Sequence, residues 1–540
     1  MRTRFVNLKA FVGLADRPFL TEFVVENGRF ADASVSAPDE RVVDLGGAFV
    51  APAFIEAHAH PMMIAEALET TACVPPAVNS IEEMVAALAD SEAARRGSGW
   101  IEGWGYDETL LAEGRSPTRA DLDRVSRDRP VVVRRSDCHS CAVNSAALAL
   151  AGITRETPDP AGAKIGRDAS GEPNGLLIET AASALIDRVR PTVDEAQIVN
   201  RMLRLREHYL SHGILTTTEM MPRRRPGASD DALAIWRKAR EAGVPVDVNL
   251  YFAWEGGTDP FGVPELSHEE KCGPVRYAGV KLFGDGSVSG RTAAMREAFK
   301  FAPGEKSDRP AGFMTLDEPV FRAALAYARR NGVALSIHVM GDRSIDTILD
   351  WLESEAPWLE DVPSVRLEHV TMMRPDHLAR IARMALKPAL TTQVIFPFAE
   401  WRSYRSALTE ANLNAACAVD EIARAVEPFA LSSDAPATTW ADADDVFVSI
   451  AAAVTRRDAE GGYFGRSHAV DVATALSLYT GRAAKVMPTE ETIGVIAPGA
   501  RAHFVTLTDD PFAVPTEAIA AIRVASTWRD GVRLWAINEA

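Results

Sequence analysis

Eight short apolar runs punctuate the middle of the chain: 53–60, 214–219, 246–252, 278–283, 334–338, 365–369, 389–394 and 429–433. Runs of this length without polar alternation fit parallel strands covered on both faces. Between most of them the apolar positions take helical spacing, for example over Glu318 to Asn331 and Pro375 to Arg383. Strands and helices that alternate in this way predict an α/β chain built on a (β/α)8 barrel. The gap between the first two runs is too long for one crossover, so residues from about 66 to 200 are expected to form an inserted subdomain. That insertion has its own turn-rich stretch, from Asp159-Pro160-Ala161-Gly162 through Asn174-Gly175.

The two ends are patterned differently. Phe19 to Val25 and Arg41 to Leu45 read as short strands, set apart by turns at Asn27-Gly28 and Gly46-Gly47. Ala502 to Leu507 and Ile522 to Trp528 read the same way near the C-terminus. The economical arrangement pairs residues 1–50 with 486–540 in one small β-sandwich, around a barrel region at 51–485. Neither end alone is long enough to bury a sheet face.

Composition narrows the function class. Over 540 residues, Lys plus Arg is 58 and Asp plus Glu is 75, for a net charge of −17. An acidic balance argues against nucleic acid, since phosphate contacts need a basic footprint. No apolar run is long enough to span a bilayer. The N-terminal stretch Met1-Arg2-Thr3-Arg4-Phe5-Val6-Asn7 lacks the apolar core of a signal peptide. The expected setting is therefore cytoplasmic, away from membranes, with a small-molecule substrate. A homodimer stays open. Five scattered cysteines fit reduced thiols, and the pair Cys138 and Cys141 has no second pair to complete a zinc site.

The candidate chemistry sits at the ends of the apolar runs. The first closes in Glu56-Ala57-His58-Ala59-His60-Pro61. Residues i and i+2 of a strand share a face, so His58 and His60 project together and could begin a metal site. The fourth run carries Lys281, the fifth ends in His338, the sixth in His369, and the eighth leads to Asp434. Barrel enzymes place their active sites at these C-terminal strand ends. Alone, each histidine would read as a satisfied core residue, Lys281 as a snorkelling side chain and Asp434 as a helix cap. Jointly they are harder to dismiss, because four of the eleven histidines fall at predicted strand ends. A lysine among apolar neighbours is costly to bury charged, and it becomes sensible if carbon dioxide converts its amine to a carbamate.

This set resembles the signature of the metal-dependent amidohydrolase superfamily: His-x-His on the first strand, Lys on the fourth, His on the fifth and sixth, Asp on the eighth. It is most similar to the family 3 branch, which includes N-substituted formamide deformylase-like enzymes. The long insertion, Asp137-Cys138-His139-Ser140-Cys141-Ala142-Val143-Asn144-Ser145, Gly171 to Glu179, and the tail Ile493 to Gly499 carry that resemblance. The chain departs from it at Cys138, where the family usually has Gly, and at Ala502-His503, where it usually has Ala-Asp.

The resemblance implies hydrolysis of a carbon–nitrogen bond with one or two divalent ions, zinc first among them. It places His58, His60 and Asp434 on one ion, His338 and His369 on a second, and carbamylated Lys281 between them, with Asp434 as the catalytic base. His139, Asn144, Ser287 and Arg291 are candidate substrate contacts. Glu179 reads as a helix start, and Asp342 either orients His338 or holds a turn. Two rival readings remain at this point. One is a deaminase of the same superfamily acting on a cyclic amidine or nucleobase, which usually lacks the fourth-strand lysine. The other is a non-catalytic binding protein on the same scaffold.

Overall fold

The computed structural model describes the whole chain except residues 1, 36, 137–139, 161, 192, 229, 303, 305–306 and 538–540. The chain divides into two compact units. The first comprises Met1–Pro61, Met202–Asp434 and Asp444–Ala540; the second comprises Met62–Arg201 and Ala435–Ala443.

An eight-stranded parallel sheet organises the first unit. Its strands are Phe54–Ala59, Ile214–Met220, Asp247–Ala253, Val275–Phe283, Ala334–Val339, Val365–His369, Ala389–Thr392 and Phe429–Leu431, and they pair in chain order. All eight runs expected from the apolar pattern are strands. The seam between the last and the first is drawn together by Asp434, whose N–H donates to the His58 carbonyl at 2.9 Å. The Ser433 N–H reaches both carboxylate oxygens of Glu56 at 3.2 Å. The result is a nearly closed barrel. Helices cover it, and those at Glu318–Asn331 and Pro375–Arg383 have the expected bounds.

The chain ends build a second sheet in the same unit, seven strands long. Arg41–Pro52 and Phe504–Leu507 pair antiparallel, with Val50 opposite Thr506, so the N- and C-terminal segments share one ladder. The sheet curls over an aromatic core. Phe23 and Phe504 lie three strands apart in the ladder, about 14 Å in a flat sheet, yet their ring centroids are 5.1 Å apart. Phe5 packs on Phe23 at 5.1 Å and on Trp528 at 5.5 Å. The ladder between Arg2–Ala10 and Arg41–Pro52 is irregular where Asn7, with φ 55°, stands opposite Leu45-Gly46-Gly47. Barrel and curled sheet meet at Gly213 (φ +72°), where a Cβ would lie 2.7 Å from Val505 and 3.2 Å from Phe54. Glycine at this position allows both the backbone conformation and the close approach.

The second unit holds a six-stranded mixed sheet. Its core includes Met84, Leu88, Tyr106, Val131 and Val133. Asn144 lies in its interior, 0 % exposed. Its Oδ1 accepts from the N–H groups of Val131 and Ala147, and its Nδ2 donates to the carbonyls of Ser126 and Arg129. All four hydrogen-bonding positions of this amide are therefore taken by the scaffold. Asn144 caps the helix Ser145–Leu150 and is not a substrate contact, which corrects the expectation. No helix among the described residues is long and apolar enough to cross a membrane.

Candidate active site

The ligand-type residues expected at the strand ends come together at one end of the barrel. One atom each of His58, His60 and Asp434 lies within 4.8 Å of the other two. Asp434 Oδ1 is 3.2 Å from His58 Nε2 and 3.1 Å from His60 Nε2. The His369 ring centroid lies 4.7 Å from that of His58 and 4.3 Å from that of His338, so the four imidazoles form a continuous group. Lys281 pairs in register with Ser336 on the adjoining strand that carries His338.

Each imidazole is anchored through one nitrogen, which sets what the other can do. His58 Nδ1 donates to Glu368 Oε2 at 2.7 Å. His60 Nδ1 donates to the Met220 carbonyl at 2.9 Å. His369 Nδ1 meets Gln393 Oε1 at 2.9 Å, and His338 Nε2 donates to the Gly286 carbonyl at 3.0 Å. Carbonyl and carboxylate oxygens only accept, so each anchored nitrogen carries a proton; the opposite nitrogen of His338 and His369 is left to present a lone pair, whereas His58 Nε2 and His60 Nε2 face Asp434 Oδ1. Metal-ligating histidines usually have such partners.

Backbone geometry contributes as well. His369 and Asp434 both adopt left-handed conformations, with φ 72° and 57°. L-residues occupy that region at some cost. The turn breaks strand alternation at each end and aims His369 and Asp434 at the group.

At His338 and His369 the electrostatics suit ligation by neutral nitrogen, whereas at His60 burial is outweighed by Asp434 and the imidazole is raised. Burial lowers the His338 imidazole to about 4, with the Lys281 amine adding to the effect. Burial also holds His369 well below its ordinary value, reinforced by His338 and His58. Burial works to raise the Asp434 carboxyl, but His58 and His60 outweigh it, and it lies well below the usual carboxylate range. Lys281 is 2 % exposed, and its Nζ is buried with no hydrogen-bond partner among the described residues. Burial brings its amine down to about 8, against the opposing pull of Glu368 and Asp434. An orphaned buried amine beside four imidazoles fits a group that is completed by something else.

Beneath the ligands is a polar layer that strand patterning did not single out. Glu368 is 0 % exposed and accepts from His58 Nδ1, Ser336 Oγ, Thr391 Oγ1 and the Arg366 guanidinium. Arg366, also 0 % exposed, donates to the Ala57 carbonyl at 2.6 Å and lies over the Tyr251 ring at 5.0 Å. Glu368 was visible as the residue before His369, but nothing local announces that its partner lies 310 positions earlier. Asp285 forms a comparable anchor. It accepts from the N–H groups of Met340, Gly341 and Ala294 and from Ser344 Oγ, and thereby ties the fourth-strand loop to the chain after His338.

The remaining candidates have contacts of their own. Ser287 Oγ accepts from the Gly290 N–H at 3.0 Å within its own turn. Arg291 lies over the Phe301 ring at 5.2 Å. Asp342 accepts from Arg374 at 3.0 Å and from the Arg296 N–H at 2.7 Å. It thus holds the loop beyond His369, while His338 is held by Gly286. Glu179 stands at the start of the helix Thr180–Asp187. His139 and Cys138 lie outside the described residues.

Comparison with known proteins gives the family. The amidohydrolase family model matches residues 41–534. YtcJ of Bacillus subtilis (strain 168), named as a candidate amidohydrolase, is 28% identical, covering 92% of this chain and 90% of its own. N-substituted formamide deformylase of Arthrobacter pascens is 27% identical, with 92% and 90% covered. A crystal structure of an uncharacterized metal-dependent hydrolase from Pyrococcus furiosus superposes with a TM-score of 0.71 at 25% identity, covering 95% of this chain and 100% of that one. The chain belongs to the amidohydrolase family and is a hydrolase.

Proposed function

We propose that this amidohydrolase cleaves a carbon–nitrogen amide-type bond of a small molecule by attack of water at a divalent metal centre, with zinc as the ion. The observation that carries the reading is the buried, partnerless Lys281 amine set among four anchored imidazoles and Asp434. The relative named N-substituted formamide deformylase supports an amide substrate. Lys281 also speaks against the deaminase reading, whose sites usually do without it.

A divalent ion, when bound, supplies Lewis-acid polarisation and lowers the pKa of water to ~7. His58, His60 and Asp434 would hold one ion, and His338 and His369 a second. With its amine brought down to about 8, Lys281 is neutral often enough to attack carbon dioxide. The nitrogen lone pair would bond to carbon as one carbon–oxygen π bond opens onto oxygen and the amine gives up a proton, and the resulting carbamate would offer an anionic pair of oxygen donors. Asp434 takes the proton from the attacking water and returns it to the departing nitrogen. Glu368 fixes the tautomer of His58 and its ring plane. The buried free thiols of Cys73, Cys141 and Cys417 suit the reducing cytoplasm.

The test combines elemental analysis of protein purified without chelator with a panel of N-formyl, N-acyl and cyclic amides. One to two equivalents of transition metal and turnover of an amide are expected. Full turnover by metal-free protein in chelator would sink the reading. So would high-resolution density showing a bare Lys281 amine far from any metal in fully active enzyme.

A further inference from the structure

Among the described residues, three groups bring histidine and acidic side chains close enough to share an ion: the barrel group, Asp346–Asp376–His377 and His208–His212–Asp444. The second already has its cation. Arg296 Nη2 lies 2.6 Å from Asp346, 2.6 Å from Asp376 and 2.8 Å from His377 Nε2, at the centre of the group. The third group is built differently. His208 lies in the last turn of the helix Glu195–Ser211, and His212 continues that turn, its N–H donating to the His208 carbonyl at 3.1 Å. Residues four apart on a helix share a face, and the two ring centroids are 4.3 Å apart.

The hydrogen bonds leave the His212 Nε2 lone pair available, and an ion would displace the proton that His208 Nε2 shares with Asp444. His212 Nδ1 donates to the His208 carbonyl at 2.8 Å, so its Nε2 keeps the lone pair. His208 Nε2 is 2.8 Å from Asp444 Oδ2. Asp444 is 3 % exposed. Burial raises its carboxyl, but His208 and His212 outweigh that and bring it to about 2. The group thus repeats the donor set of the barrel group, two imidazoles and one buried aspartate. Its nitrogen–oxygen contact of 2.8 Å is close to the 3.1 and 3.2 Å at Asp434. The His208 side chain keeps 12% exposure, enough for a water to complete a four-coordinate shell.

We propose that His208, His212 and Asp444 form a separate binding site for a divalent transition ion of zinc's class. This stands independently of the barrel chemistry. The ion would tie the helix that precedes the second barrel strand to the chain that precedes the helix Val446–Thr455. The role is structural: a clamp on the scaffold that leaves the reacting atoms untouched.

The test uses full-length protein and cobalt(II) chloride as probe. His212→Ala should carry one equivalent of metal fewer than wild type after reconstitution and gel filtration, with turnover unchanged and a lower Tm. A variant with both His58→Ala and His60→Ala should still retain one equivalent of cobalt and show the visible absorption of a four-coordinate ion. Adding Asp444→Asn to it should abolish that band. Equal metal content in wild type and His212→Ala overturns the proposal. If His212→Ala does not fold, the variant lacking His58 and His60 decides alone, since cobalt lost on filtration also overturns it.

Discussion

Two β-sheets in the first unit bury opposite kinds of residue. The curled sheet from the chain ends closes over Phe5, Phe23, Phe30 and Phe504, each no more than 3 % exposed. The barrel closes over His58, Lys281, Arg366 and Glu368, each no more than 2 % exposed. Aromatic burial is favourable by itself. A buried ionic layer contributes little net stability and is costly when one partner is missing. The comparison teaches a division of labour. The terminal sheet supplies stability that the barrel spends on holding imidazoles, an amine and a carboxylate at fixed angles. Arg529 links the two, donating to Asp247 on the third barrel strand at 2.8 Å.

The sharpest way to separate the two regions is to remove Lys281. Lys281→Ala should lose bound metal and lower kcat/KM on the order of 10³-fold, the scale seen when a group stabilising transition-state charge is removed. Short carboxylic acids should partly restore both, whereas Lys281→Arg should restore neither, because guanidinium stays protonated. With both proteins stripped of metal, fold stability should barely change, as shown by Tm in chelator. A variant with full activity and full metal content would erase the distinction between the regions.

The mirror experiment is Phe23→Ala in the terminal sheet. It should cost about 3–5 kcal/mol of stability, measured by denaturant unfolding, while metal content and turnover per folded molecule stay at wild-type values. An effect on metal stoichiometry as large as that of Lys281→Ala would show that the sheet shapes the site directly.

Glu368→Gln probes the layer beneath the ligands. Losing the carboxylate that orients His58 should weaken metal affinity about 10–100-fold, read by competition with a graded chelator. Unchanged affinity would assign Glu368 to pairing Arg366 alone.

The smallest effect is acid sensitivity of the terminal sheet. Asp530 binds Arg501 at 2.7 Å and 2.6 Å and His503 at 3.1 Å. Burial raises its carboxyl, but His503 and Arg501 outweigh that and hold it well below the ordinary 3.8. A folded-state value below the unfolded one stabilises above pH ~3.8 and is lost as pH falls toward the folded value. Asp530→Asn should therefore lower stability at neutral pH and flatten its acid limb. An acid limb as steep as that of wild type would remove Asp530 from the account.

Patterning alone revealed the barrel, because strands buried on both faces are dense in apolar residues, and each of the eight runs is a strand even where Thr216 to Glu219, Arg366 and Glu368 interrupt it. It missed Arg2–Ala10, the first strand of the terminal sheet. There the buried residues are Phe5, Leu8 and Ala10, and the left-handed Asn7 shifts the alternation by one residue, so no period of two survives to be read. It also misjudged Asn144, since a polar residue beside a candidate loop looks the same whether its amide faces a substrate or caps a helix.

The sequence by itself determined which residue types stand at the strand ends, since His58, His60, Lys281, His338, His369 and Asp434 are each tied to a local apolar run. Only the tertiary structure decided what surrounds them. Glu368 reaches His58 across 310 positions, Gln393 reaches His369 across 24, and Asp444 reaches His208 across 236. Closing a barrel brings such pairs together. Local propensity acts over a few residues and carries no record of which distant side chain will complete a hydrogen bond.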